Sequence, residues 1–142
     1  MKKKVCLITG GAKRIGKEIC MHLAKDGWNV AIHYNKSITE AKKVENEIKQ
    51  YGVKSMSIQS TFPQTNDKKY DQIIKEVECH LGSINLIVNN AARFEYDTCA
   101  NTSTKKLQMH LSENFIAPVM LTKSYFDTCK KRKDNHLTGT VI

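Results

Sequence analysis

The chain has no run of about 18 apolar residues, so nothing in it reads as a membrane-spanning helix. Its start, Met1-Lys2-Lys3-Lys4, carries the charge of a secretory leader, but the apolar stretch that follows is only Val5 to Ile8. That is too short for a leader's apolar core and runs directly into Gly10-Gly11. Cys-x-x-Cys pairs are missing as well. The five cysteines (6, 20, 79, 99 and 129) are odd in number and widely spaced. They suggest neither a disulfide framework nor a metal site, but reduced thiols of a cytoplasmic protein, several of them in its core.

Acidic residues are comparatively few. Fourteen Asp and Glu face 23 Lys and Arg, a formal charge of +9. Such an excess suits nucleic acid, a membrane surface or a phosphorylated small ligand. The cations, however, are scattered over 2–4, 13–17, 42–43, 68–69, 105–106 and 130–133, with no single tract and no groove-reading motif. No nucleic-acid or membrane partner is therefore expected. The densest run, Lys130-Lys131-Arg132-Lys133, follows a helical pattern and leads into Asp134-Asn135. It reads either as a solvated helix end complementing the dipole or as a basic patch.

What is present is an alternation of short apolar runs with longer amphipathic stretches. Val5 to Ile8, 28–34, 53–59 and 84–89 read as strands, and 138–142 as the start of a fifth. Between them lie helical patterns over 15–26, 37–51, 67–81 and 104–130, the second opened by a Ser37-x-x-Glu40 capping box. Parallel strands need helical crossovers, so the expected fold is α/β, a doubly wound parallel sheet of Rossmann type. No repeat or linker divides it, and residues 1–142 read as a single dinucleotide-binding domain that stops within the fifth strand.

The first strand delivers Thr9-Gly10-Gly11-Ala12-Lys13-Arg14-Ile15-Gly16 straight into a helix. In that context Gly10 allows the tight turn, Gly16 allows close packing, and free amides at the helix start face a pyrophosphate. About 20 residues beyond the turn, where an NAD site offers a carboxylate to the ribose, the second strand ends at His33-Tyr34-Asn35. Lys13, Arg14 and Lys36 supply positive charge instead, beside Asn35 and Ser37. This set suits the 2′-phosphate of NADP(H); the bland alternative is that Lys13 and Lys36 are merely solvated.

These residues resemble the short-chain dehydrogenase/reductases, and the T-G-G-A-K-R-I-G opening with His33-Tyr34-Asn35-Lys36-Ser37 resembles the pteridine reductase branch. Asn89-Asn90-Ala91 and Asn114 match further family positions, and the resemblance runs through the whole chain. It implies that Gly10, Arg14, Ile15 and Gly16 cradle the pyrophosphate, that His33, Asn35 and Ser37 take the adenosine side, and that Asn90 and Ala91 take the ribose near the nicotinamide, with Lys13 and Tyr34 counted among the cofactor-binding residues. Phe94 would stack a pterin ring, or else pack its loop on the sheet. Arg14 would also touch substrate. Asn114 would support catalysis by holding a water of the proton relay, or else bond helix backbone. The implied reaction is hydride transfer from NADPH to a small planar pterin, dihydrofolate or carbonyl compound.

Three departures qualify that expectation. Thr61 stands where the branch has an adenine-binding Asp. Ala92-Arg93 replaces small hydroxylated residues, leaving Arg93 for an anionic substrate group or for solvent. No tyrosine is followed four places on by lysine, so the family's proton-donor pair is absent from these residues. Only the cofactor-binding half is expected here; a dead product or a binding module without chemistry is the alternative. Leu107, Leu111, Phe115, Val119, Thr122 and Phe126 recur along the last helical pattern, an apolar face expected to promote association in a family whose members are commonly oligomers.

Overall fold

In the computed structural model, residues 3–63, 66–132 and 139–142 are described. The chain alternates β1 (Val5–Ile8), α1 (Arg14–Lys25), β2 (Asn29–Tyr34), α2 (Ile38–Lys49), β3 (Ser55–Gln59), α3 (Lys68–Leu81) and β4 (Leu86–Val88). Then come α4 (Thr104–Leu111), a π-helical turn (Ser112–Ile116), α5 (Ala117–Lys131) and β5 (Thr140–Val141). The five strands form one sheet in the order β3-β2-β1-β4-β5, and every pairing is parallel. The fold is Rossmann-type, as the alternation predicts.

The central strand shows why both faces are covered. All four residues of β1 are buried. Successive side chains of a strand point to opposite faces. Val5 and Leu7 enter the core beneath α3 and α5, whereas Cys6 and Ile8 enter the core beneath α1 and α2. Each fully buried aliphatic side chain of this kind contributes about 2 kcal/mol. The helices match: α2 turns Ala41, Val44 and Ile48 inward, and α3 turns in Tyr70, Ile73, Ile74, Val77 and Leu81, all at three- or four-residue steps.

Three expectations need correction. The Ser37 capping box does not form: Ser37 makes no side-chain cap bond, and Glu40 is drawn instead to the Lys13 ammonium at 2.9 Å. A charge-assisted contact across elements has displaced a local one. The helix expected over 104–130 is interrupted at Ser112–Ile116 by a π-helical turn, where an extra residue per turn slips the apolar face. Strand ends are also trimmed, β4 to Leu86–Val88 and β3 to Ser55–Gln59. Thr138 and the stretch from Lys133 through Asp134-Asn135 lie outside the described residues. No described helix is long and apolar enough to cross a membrane.

Candidate dinucleotide site

In an open α/β sheet the crevice lies beyond the carboxyl ends of the strands where strand order reverses. Here that place is the mouth between β1 and β4, and a cleft of ≈ 490 Å³ opens there. Its wall is formed by Gly10, Ala12, Lys13, Arg14, Ile15, Gly16, His33, Tyr34, Asn35, Lys36, Ser37, Phe62, Asn90, Ala91, Ala92 and Glu113. Every residue assigned to the cofactor from sequence is brought to this one wall. Phe94 and Asn114 are not in it.

The floor is the glycine turn, and it is crowded. Gly10 adopts φ 63°, a conformation that favours glycine. A Cβ on Gly16 would run into the Gly10 carbonyl oxygen and the Asn90 amide, so only glycine fits there. Arg14 opens α1 with φ 49°, an unusual backbone value for a residue with a side chain, at the position where a second glycine is common in the family. The first turn of a helix leaves its amides without intrahelical acceptors, and no side chain caps α1. Those amides therefore face the cleft as an anion cradle.

Thr9 and Asn90 bolt the turn to β4. The Thr9 hydroxyl accepts from the amides of Asn90 and Ala91, both at 2.9 Å. The Asn90 side-chain amide donates to the carbonyls of Thr9 at 2.9 Å and Gly10 at 3.2 Å. Asn90 thus spends its side-chain donors on the protein itself and shapes the floor. His33 is likewise bonded to the protein. It is 2% exposed, its Nδ1 accepts from the Gly10 amide at 3.3 Å, and its Nε2 donates to the Ser60 carbonyl 2.9 Å away. Phe62 stacks on the ring at 4.5 Å. Burial pushes the imidazole down to about pH 4, partly opposed by the bond to Ser60. A neutral ring is what these bonds require, because Nδ1 must accept. His33 lines the cleft as a brace with no polar atom to spare.

At the rim the polar atoms are freer. The Asn35 Oδ1 accepts from the Thr61 hydroxyl at 3.0 Å, so Thr61 orients Asn35 and leaves its amide donors to the cleft. Lys13 is half-exposed and pairs with Glu40, whose carboxyl is held below its ordinary range chiefly by that lysine. Lys36 and Arg14 make no ion pair among the described residues. No carboxylate follows β2 at 33–37. The cleft therefore offers a pyrophosphate cradle beside several cations, which suits a dinucleotide carrying a further phosphate.

Beyond Ala92 the character changes. Phe94 is 75% exposed and meets Tyr96 edge-on, ring centroids 5.0 Å apart. Asn114 bonds neither a helix carbonyl nor its own turn. Its Oδ1 accepts from the Arg93 amide at 2.7 Å and its Nδ2 donates to the Arg93 carbonyl at 2.9 Å. Arg93 points neither to open solvent nor to the cleft, but pairs with Glu95 and, at 2.8 Å, with Glu113. Phe62, Ala12, Ala92 and Glu113 were not foreseen in the wall. Phe62 lies three residues beyond the end of β3, in the loop at the carboxyl edge of the sheet.

The sequence pattern of the family described as short chain dehydrogenase matches residues 4–141. The chain belongs to this family. Among its members, 3-oxoacyl-(acyl-carrier-protein) reductase FabG of Staphylococcus epidermidis is 41% identical over 88 residues, covering 62% of this chain and 35% of the relative. General stress protein 39 of Bacillus subtilis is 28% identical over 131 residues, covering 92% of this chain and 45% of the relative. In structure, the FolM alternative dihydrofolate reductase 1 of Brucella suis, solved in complex with NADP, superposes with a TM-score of 0.83 at 30% identity. That superposition covers 97% of this short-chain dehydrogenase family member and 55% of the Brucella chain. The chain thus spans about half, or less, of the length of the relatives it matches.

Proposed function

We propose that this chain is the dinucleotide-binding half of an NADPH-dependent reductase of the short-chain dehydrogenase family, pteridine-reductase-like in its substrate side. The observation that carries the reading is the cleft itself: a glycine cradle at a helix start, three cations at its rim and no carboxylate after β2. The reduced nicotinamide, when bound, supplies the hydride. The protein's part is to hold it. The Gly10–Gly16 turn and the α1 amides bind the pyrophosphate; Lys13, Arg14 and Lys36 neutralise the 2′-phosphate with Asn35 and Ser37 as partners. His33 and Asn90 keep the floor rigid, Ile15 and Ala91 give apolar contact, and Tyr34 closes the adenosine side.

Substrate would be a pterin, a dihydrofolate or a small carbonyl compound set against Phe94. The likeness to a dihydrofolate reductase at 30% identity supports the pterin, and the likeness to a 3-oxoacyl reductase supports a carbonyl. Asn114 contributes by fixing the Arg93 backbone before Phe94, a positioning role. No Tyr-x-x-x-Lys pair lies in the 142 residues, so no proton donor of that kind is available to an acceptor here.

The test is sequential. NADPH is titrated into the purified chain by nucleotide fluorescence, and dihydrobiopterin or an acetoacetyl thioester is then added to the loaded protein. Saturable NADPH binding, a second binding step with the pterin, and negligible NADPH oxidation are expected. Sustained turnover that Asn114→Ala abolishes would contradict the reading, as would no nucleotide binding. Leu107, Leu111, Phe115, Val119 and Phe126 are each about half exposed or more, a face that favours self-association.

A further inference from the structure

Glu113 is the sole carboxylate among the described residues lining a cleft otherwise furnished for a polyanion. A bare negative charge in that wall would oppose a pyrophosphate. It is not bare. The Arg93 Nη1 donates to the Glu113 Oε1 at 2.8 Å while Nη2 holds Glu95, and both Arg93 and Glu113 side chains are about a quarter exposed (25% and 24%). At that burial a pair is less screened than on open surface. The Arg93 backbone is held separately, by both atoms of the Asn114 amide. Removing the guanidinium therefore takes away a charge while the clamp on the loop remains.

We propose that Arg93 is a positioning residue for dinucleotide binding: it masks the Glu113 carboxylate in the cleft wall, so that a polyanionic cofactor meets less repulsion there. The inference rests on the reading of the cleft as a dinucleotide site, and goes beyond it in assigning Arg93 to the cofactor rather than to substrate. It makes the charge, not the shape, of the pair the quantity that matters.

The test uses the full 142-residue chain with NADPH fluorescence titrations at low and at 0.5 M salt. Arg93→Met is expected to weaken NADPH about fivefold at low salt, the deficit shrinking as salt screens the exposed carboxylate. Arg93→Lys keeps the charge and stays close to the parent. Arg93→Met combined with Glu113→Gln recovers the parent affinity to within about twofold, because no carboxylate is left in the cleft wall to mask. If the double variant stays as weak as Arg93→Met, the residue acts through loop geometry and the proposal is wrong. It is equally wrong if Arg93→Met binds like the parent. Should circular dichroism show Arg93→Met unfolded, Glu113→Gln alone decides: a higher NADPH affinity supports masking, an equal or lower one overturns it. A parent chain that binds no NADPH overturns the dinucleotide reading and this inference with it, whereas a binding parent with an indifferent Arg93→Met overturns the inference alone.

Discussion

The floor of the cleft and the segment beyond Ala92 are built to different standards. Thr9 and His33 are each 2% exposed, and their polar side-chain atoms are bonded to neighbouring strands and turns. Within five residues past Ala91, Phe94 and Tyr96 stand 75% and 91% exposed and meet edge-on. The floor is completed by the sheet itself, because strand ends, a glycine turn and two side-chain clasps satisfy it locally. The far side is tied to the last helical segment by the Asn114 clamp and the Arg93–Glu113 pair. The proposed cofactor side is thus satisfied within this chain, whereas the segment beyond Ala92 is left open.

The contrast can be broken most severely at Gly16. Gly16→Ala drives a Cβ into the Gly10 carbonyl and the Asn90 amide, so the turn must shift. Loss of about 3 kcal/mol of stability in chemical denaturation, with NADPH binding abolished, is expected. Next comes acid. Because the His33 imidazole is held near pH 4 in the fold and titrates near 6.5 unfolded, its stabilising contribution is complete above pH 6.5. It is lost as pH falls towards 4, up to about 3 kcal/mol in all. Thermal melts should show this fall in the parent beyond that of His33→Gln, whose amide both donates and accepts at any pH; parallel curves would refute it.

On the open side effects are smaller. Asn114→Ala removes two bonds to an exposed loop and should cost about 1 kcal/mol, with the Arg93 amide losing its protection in hydrogen exchange. An Arg93 amide as slow as in the parent would place its restraint elsewhere. Smallest is Glu40→Gln. Releasing the half-exposed Lys13 from its surface pair should raise NADPH affinity about twofold and leave NADH unchanged, as isothermal titration can resolve.

The same contrast governs what was legible in the sequence. Strands and helices were readable because β1, α2 and α3 carry their burial in local periodicity. The glycine turn was readable because its backbone needs are stated by residue type. Other features depended on contacts between distant segments. His33 carries the signature of a ligand-facing residue, yet the amide of Gly10 and the carbonyl of Ser60 claim both ring nitrogens. Arg93 has its partner 20 positions on, in Glu113. Glu40 suits a capping box until Lys13 draws it away. The π-helical turn at Ser112–Ile116 escapes notice because a single extra residue leaves the three- and four-residue spacing of Leu111, Phe115 and Val119 intact.

The central claim, that the cleft is completed for a 2′-phosphorylated dinucleotide, is tested most directly by titrating the parent chain with NADPH and NADH under one low-salt condition. The account predicts saturable NADPH binding at least about tenfold tighter than NADH, with the preference shrinking as salt rises. Equal affinity for the two, or no binding by a folded chain, would contradict it.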